Sequence, residues 1–573
     1  MITVETRFKI LWRLFVEQFA ANESATSDMQ MRRAIIGVIA FLVTPGLFLM
    51  FKTMSGYELM VMIARHRNTP QIIETFLAQM AVLFVSYSMI STGLLTVFIW
   101  DTLVFDKRDA MVLGPLPLRG LTIVGAKLAA LATFLVGTAL AVNVLSGVAF
   151  GWVTGALEGR ILQHLSAHLS GTVGGAVFMF CTLVVVRGLL VLFVSAHAAA
   201  TTGSLLQFVF LSAVLCFMMV PTATGLVLPP MSWFAALFEW IRGSRAPAVP
   251  GLAQYALIVL PISIAGAIAV TFAGYWKQMR AALAPSASVA GTARIRRRLA
   301  TLITGRDRVA HATSDFVLTT LVRSPVQQAP IAIAASLGVA IVSIALATRD
   351  GGLAELRVPR TVVLWIPIVL GYWVIVGLRA SFVLPTELKA AWAFRVHSRL
   401  PSVSYWAGVR AAMVAFAIGP ALLVNALAVL PLLGWRVAAI HALVVTVAIA
   451  IAAQFASLLV DGVPFTRAYP PGHARLKTRW PLYLLGMWAI AYLPVRLELR
   501  VLHDAWGIGM LLAEGLAAIA MLEIAARHRA RKWTLPPEPE IDDSDPEALT
   551  FLNLGPAAGH TPQAVAYDHA GPT

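Results

Sequence analysis

Long apolar runs, each bounded by a short polar stretch, dominate this chain. They fall near 34–51, 75–100, 128–153, 172–196, 204–221 and 252–275, and again near 330–348, 361–383, 411–433, 437–460, 480–495 and 505–525. A helix of about 20 apolar residues crosses the hydrocarbon layer of a bilayer. The pattern therefore predicts an all-α polytopic membrane protein with about twelve transmembrane helices. The runs at 204–221 and 480–495 are short enough to be tilted, kinked or partly re-entrant. Ahead of the first run, Phe8, Leu11, Leu14, Phe15 and Phe19 recur at helical spacing among Glu5, Arg7, Lys9, Arg13 and Glu17. That spacing predicts an amphipathic helix lying at the membrane surface, and the scattered charge argues against a cleavable signal peptide.

Composition agrees and excludes a soluble enzyme. Of 573 residues, 59% are apolar and only 13% charged, about half the charge of an ordinary soluble domain. Lys and Arg exceed Asp and Glu by 44 to 28. With the N-terminus placed in the cytosol, most of the basic residues fall in the loops on that side, which predicts both termini inside. The excess therefore reports topology and gives no reason to expect a nucleic-acid partner. Its densest part is Arg294, Arg296, Arg297 and Arg298 with Arg306 and Arg308, read as a topology signal able to touch anionic lipid. The expected organisation is an interfacial helix at 1–33, a six-span unit at 34–275, a basic cytosolic linker at 276–327, a second six-span unit at 328–526 and an acidic, disordered tail at 527–573. Cys181 and Cys216 lie within apolar runs and form no metal-ligand spacing.

The two sets of six runs resemble each other weakly but in order. Asp106/Glu387, Arg108/Lys389, Leu116-Pro117/Leu400-Pro401, Lys127/Arg410, Asn143/Asn425 and Gly151-Trp152/Gly434-Trp435 recur at a nearly constant interval. Six spans per unit return the chain to the same face, so the halves form parallel repeats about an axis along the membrane normal.

The stretch between the second and third runs carries the most chemistry. Trp100 and Asp101 lead into a charged cluster, Asp106 to Asp109, then apolar Met111 to Leu113, and Gly114, Pro115 and Pro117 break the helix before Lys127 re-enters the bilayer. A short amphipathic helix and rigid turn, joined to two spans, can transmit a push. An acidic residue after span two, a short helix with basic and leucine positions, a Leu-Pro turn and a Lys at the mouth of span three resemble the coupling segment of type-2 ATP-binding-cassette exporter permeases. The resemblance is close over about 25 residues, and loose over most of the chain through the six-span units. The family often has a Gly-Thr pair where this chain has Asp109-Ala110, and the second copy has His397-Ser398-Arg399 in place of Gly-Pro. The resemblance implies that Asp106, Arg108, Leu113, Leu116, Pro117 and Lys127, with Glu387, Lys389, Phe394, Arg395 and Arg410, serve coupling to a separate ATPase subunit, expected in two copies. It implies export and a bacterial inner-membrane location. ATP–Mg would then be held by the partner, with no cofactor on this chain.

Consistent with that, the chain has no phosphate loop of its own: after Gly120 and Gly125 come Ala126, Lys127 and Leu128, where Lys and then Ser or Thr should follow the second Gly directly. His164 and His168 lack a third ligand and are expected in a wet outer loop, so no metal site is predicted. Within spans, Arg187 and Glu514 form a possible intramembrane polar site, as a pair or with Arg187 facing an anionic group. Arg379 and Glu523 lie closer to span ends, where snorkelling explains them. The segment from Leu228 to Trp240 reads as a proline-started amphipathic helix on the outer face. Rival readings are a secondary, ion-coupled transporter dependent on Glu514 or Arg187, and a membrane-embedded glycosyl or lipid transferase. For the latter the first outer loop offers only Glu58.

Overall fold

The computed structural model describes residues 4–20, 53–69, 71–105, 107–194, 196–219, 229–244, 246–282, 307–347, 360–384, 402–460, 463–465 and 476–532, with a few isolated positions besides. All belong to one compact unit, 1–533. The first apolar run, Asp106, the segment 385–401 and the tail beyond 532 lie outside the described residues, apart from positions 46, 50 and 51 of that run.

Every regular element described is helical. In chain order they are α1 (Val4–Ala20), α2 (53–67), α3 (Gln71–Phe98), α4 (Lys107–Leu113), α5 (Gly120–Glu158), α6 (Ile161–Phe193), α7 (Ala196–Met219), α8 (Met231–Arg242) and α9 (Val249–Ala282). The second half contains α10 (Arg308–Arg323), α11 (Pro325–Ala347), α12 (Arg360–Ser381), α13 (Ser402–Leu433, with a π-turn at Asn425–Val429), α14 (Trp435–Leu458), α15 (Leu476–Val501, with a π-turn at Trp488–Tyr492) and α16 (Ala505–Lys532). Among the described residues, ten helices are long and apolar enough to cross a membrane. The chain is an all-α integral membrane protein. Ten of the twelve predicted runs coincide with these ten helices. The described part of the fifth run lies within α7, whose apolar stretch covers only Gly203–Ala213, and the 480–495 run is part of α15, continuous through its π-turn.

The two halves repeat a packing scheme around a central fourth span. In the first half α6 packs against α3, α5, α8 and α9, and in the second α14 packs against α12, α13 and α16. A short amphipathic helix lies against the third span of each half, α1 on α5 and α10 on α13. For α10 the approach is close: a Cβ at Gly408 would lie 2.4 Å from the Ala310 carbonyl oxygen, so only glycine fits there. Residues 308–323, expected within a linker, thus form part of the packed body. The halves meet where α7 runs along α11, with the Cys216 Sγ 3.0 Å from the Ser343 Oγ and the Ser336 hydroxyl donating to the Phe208 carbonyl at 3.2 Å.

Two expectations need correction. His164 and His168 are fully buried in the first turns of α6, because α5 and α6 are joined by a turn at Gly159 and Arg160 and not by a wet loop. The His168 ring sits among Phe84, Phe150 and Phe238, and its Nε2 lies 3.4 Å from the Ser146 hydroxyl. The His164 Nδ1 is 2.8 Å from the Thr154 hydroxyl. The Gly-Trp match is also not structural: Gly151-Trp152 lies inside α5, whereas Gly434 breaks the chain between α13 and α14. α8 forms as predicted, but most of one face is buried, with Phe234 and Phe238 fully enclosed. Arg242 ties its end to Glu239 at 2.7 Å and to Glu74, near the start of α3, at 2.8 Å. Burial pulls the pKa of this guanidinium down, but the two carboxylates outweigh that and hold it above its ordinary value.

Candidate docking site at the α4 end

The inter-span segment is built onto the bundle by a core of aromatic and aliphatic side chains. Leu11 and Phe15 from α1, Phe105 and Leu113 from the segment, Ile123, Val124, Ala126 and Ala130 from α5, and Tyr275 from α9 form one buried cluster. Phe105 is the hinge of this cluster, with Phe15 edge-on at 6.0 Å and Tyr275 at 5.1 Å. Edge-to-face pairs of this kind add about 1 kcal/mol beyond the area they bury.

Lys127 is the polar centre of the same cluster and is wholly buried. Its Nζ lies 3.9 Å from the Asp109 Oδ2, donates to the Gln18 Oε1 at 3.3 Å, and sits over the Phe15 ring at 4.6 Å. The Gln18 amide donates in turn to the Asp109 Oδ1 at 3.4 Å. A buried ammonium is tolerated only when paired and hydrogen-bonded, so this one charge binds α1, α4 and α5 together. The Trp12 indole donates to Thr133 at 3.1 Å, a second tie between α1 and α5.

What remains on the surface is the turn. Val112 and Leu116 are 61% and 45% exposed, and Gly114, Pro115, Pro117 and Arg119 are exposed beside them. Gly114 follows α4, and only glycine fits there because a Cβ would meet the Ala110 carbonyl oxygen at 2.5 Å. The predicted residues therefore divide. Leu116 and Pro117 face solvent, whereas Leu113 and Lys127 turn inward and anchor the segment. Arg108 lies on α4 with its side chain outside the described residues, as do Asp106, Glu387, Lys389, Phe394 and Arg395 entirely.

Arg410 is buried near the start of α13 and pairs with Glu523 of α16 at 2.8 Å. The same carboxylate accepts from Gln454 at 3.0 Å and Arg527 at 2.8 Å. Lys127 and Arg410, matched in sequence, are thus both buried and paired, but their acids come from non-equivalent elements. Glu523 is engaged within the bundle and does not snorkel. Neither does Arg379, which is buried, bonds the Tyr483 hydroxyl and donates to the Leu459 carbonyl.

Arg187 and Glu514 do not come together. Arg187 is half-buried on α6 with its guanidinium 5.6 Å from the Trp100 ring, and Glu514 is exposed on α16 in the other half. The fully buried pair His441 and Glu498, 2.8 Å apart on α14 and α15, was not anticipated. Its sequence signals were a histidine inside the 437–460 run and a carboxylate just past the end of the 480–495 run.

Comparison with protein-family models, with curated proteins and with solved structures finds no match for this chain.

Proposed function

We propose that this chain is the membrane-spanning permease subunit of an ATP-binding-cassette exporter, energised by a separate ATPase subunit. The observation that supports this reading best is the exposed turn from Val112 to Pro117, held to three helices by Leu113 and the buried Lys127. Force applied to that turn would pass into α1 and α5 together, because its anchor is shared by both. In this reading the α4 end is cytosolic, two ATPase copies bind ATP–Mg, and their closure rocks one half of the bundle against the other across the α7–α11 contact. The distribution of basic residues supports cytosolic termini, in a bacterial inner membrane.

The test is co-expression with a cassette ATPase encoded beside this chain. A complex should co-purify, and Leu116→Asp with Pro117→Ala should abolish both its assembly and the stimulation of ATP hydrolysis. Assembly and stimulation that survive those changes would overturn the docking assignment.

A further inference from the structure

A buried polar cluster lies in the second half, where α13, α14 and α15 meet. Glu498 and His441 are each 0% exposed, and the His441 Nδ1 sits 2.8 Å from the Glu498 Oε2. Asn425, 5% exposed and first in the π-turn of α13, donates its amide to the Ala438 carbonyl at 3.0 Å. Ala438 and His441 are three residues apart on α14, so Asn425 and Glu498 approach that helix within one turn of each other. After these bonds are made, the Glu498 Oε1, the Asn425 Oδ1 and the His441 Nε2 remain buried without a hydrogen-bond partner. Three such atoms are costly unless each meets a group from outside the chain. The second π-turn, Trp488–Tyr492, ends less than two helical turns before Glu498, and π-turns inside helices concentrate at functional sites.

The charge balance names the missing group. Other ionisable side chains described on the helices packed around the pair are exposed or engaged elsewhere. Arg436, Arg496, Arg500, Arg360 and Glu514 are exposed. Tyr372 and Arg379 bond Tyr483, Tyr492 accepts from Arg496, and Tyr405, Arg410 and Glu523 lie toward the opposite ends of their helices with Arg527 to Lys532. A carboxylate buried at membrane depth needs one positive charge, supplied either by a proton held on the His441–Glu498 pair or by a bound metal cation. Among the described residues no three His, Cys, Asp or Glu side chains gather to hold a metal ion, so a transition-metal site is not indicated. Oxygen atoms of one carboxylate and one amide suit a hard monovalent cation.

We infer that Glu498, positioned by His441 and completed by Asn425, binds one monovalent cation, sodium or a proton, in the second half of the bundle. In the first half the corresponding polar groups pair with hydroxyls: Asn143 donates to the Ser88 hydroxyl at 2.8 Å and the His168 Nε2 lies 3.4 Å from the Ser146 hydroxyl. His441 lies about 9 Å along α14 from its first residue at 1.5 Å per residue, a short path to the solution at that end. The inference is independent of any ATPase partner.

The test uses the full chain purified in detergent, with the thermal unfolding midpoint read while sodium replaces choline at constant ionic strength and over a series of pH values. A ligand that binds only the folded state raises the midpoint with its concentration. A midpoint that climbs with sodium identifies sodium, and one that climbs with acidity but ignores sodium identifies a proton. In either case the dependence is lost in Glu498→Gln. If that variant does not fold, Asn425→Ala is read in its place and should need a higher cation concentration for the same rise. A wild-type midpoint indifferent to both cations, or a dependence unchanged in the variant that folds, overturns the inference.

Discussion

The ammonium of Lys127 lies 3.9 Å from the carboxylate of Asp109 while having no exposure of its own. The two partners are unequal, because Asp109 retains 11% side-chain exposure. Removing the acid takes the opposite charge from a buried cation that keeps Gln18 and two aromatic faces beside it, whereas removing the cation frees an acid that water can reach. Asp109→Ala should therefore destabilise the protein by about 3 kcal/mol, and Lys127→Met by clearly less. Thermal unfolding of the two variants in detergent decides this, and equal losses would mean that the ion pair is not what holds the segment.

The Glu523 carboxylate collects three donors, but they are not equivalent. Arg410 is 5% exposed and Arg527 is 59% exposed. Exposed pairs one helical turn apart contribute about 0.5 kcal/mol, whereas stranding a buried guanidinium costs about 3 kcal/mol. The expected order of loss is Glu523→Ala far above Arg527→Ala, measured as the shift in unfolding midpoint.

Asp307 caps α10 by accepting from the backbone amides of Val309 and Ala310 at 3.0 and 3.1 Å. A hydrogen bond from Ser404, then those amides, lower its pKa below the usual carboxylate value. A depressed carboxylate stabilises the fold above its unfolded pKa, and that contribution is lost as the pH falls through the folded value. Asp307→Ala should cost about 1 kcal/mol at neutral pH. In Asp307→Asn, which retains a cap, the acid-side part of the loss should disappear when unfolding is followed from pH 7 downward.

The contact between the halves can be trapped. Cys216 of α7 already faces Ser343 of α11 at 3.0 Å, and a disulfide forms only where the Cβ atoms come within about 4 Å. Ser343→Cys under oxidation should keep the halves together on a denaturing gel after cleavage at a protease site inserted between residues 282 and 307. Separation of the two fragments would show that α7 and α11 do not adjoin as described.

Much of the architecture was legible without coordinates, for a physical reason. A bilayer forces each spanning segment to bury its own backbone polarity in helix over a set length, so ten of the twelve apolar runs return as spanning helices. The amphipathic spacing of Leu11 and Phe15 likewise marked the face of α1 that packs on α5. Matched Lys127 and Arg410 were found because buried charge is rare enough in such a sequence to stand out.

Side-chain partners were not legible. Lys127 meets Gln18 across 109 positions and Arg410 meets Glu523 across 113, and no local pattern encodes which helix lies opposite which. The placing of His164 and His168 in a wet loop failed because hydropathy measures the cost of exposure to lipid and is silent about helices that shield polar groups from both lipid and water. The pairing of His441 with Glu498 is illegible in the sequence for the same reason. The sequence by itself determined that the chain is a membrane-embedded helical protein with ordered internal similarity, since solvent and backbone impose those features segment by segment. Only the tertiary structure decided that Leu113 and Lys127 are anchors, that Leu116 and Pro117 are surface, and that a buried imidazole and carboxylate share one site, because each depends on contacts between helices far apart in the chain.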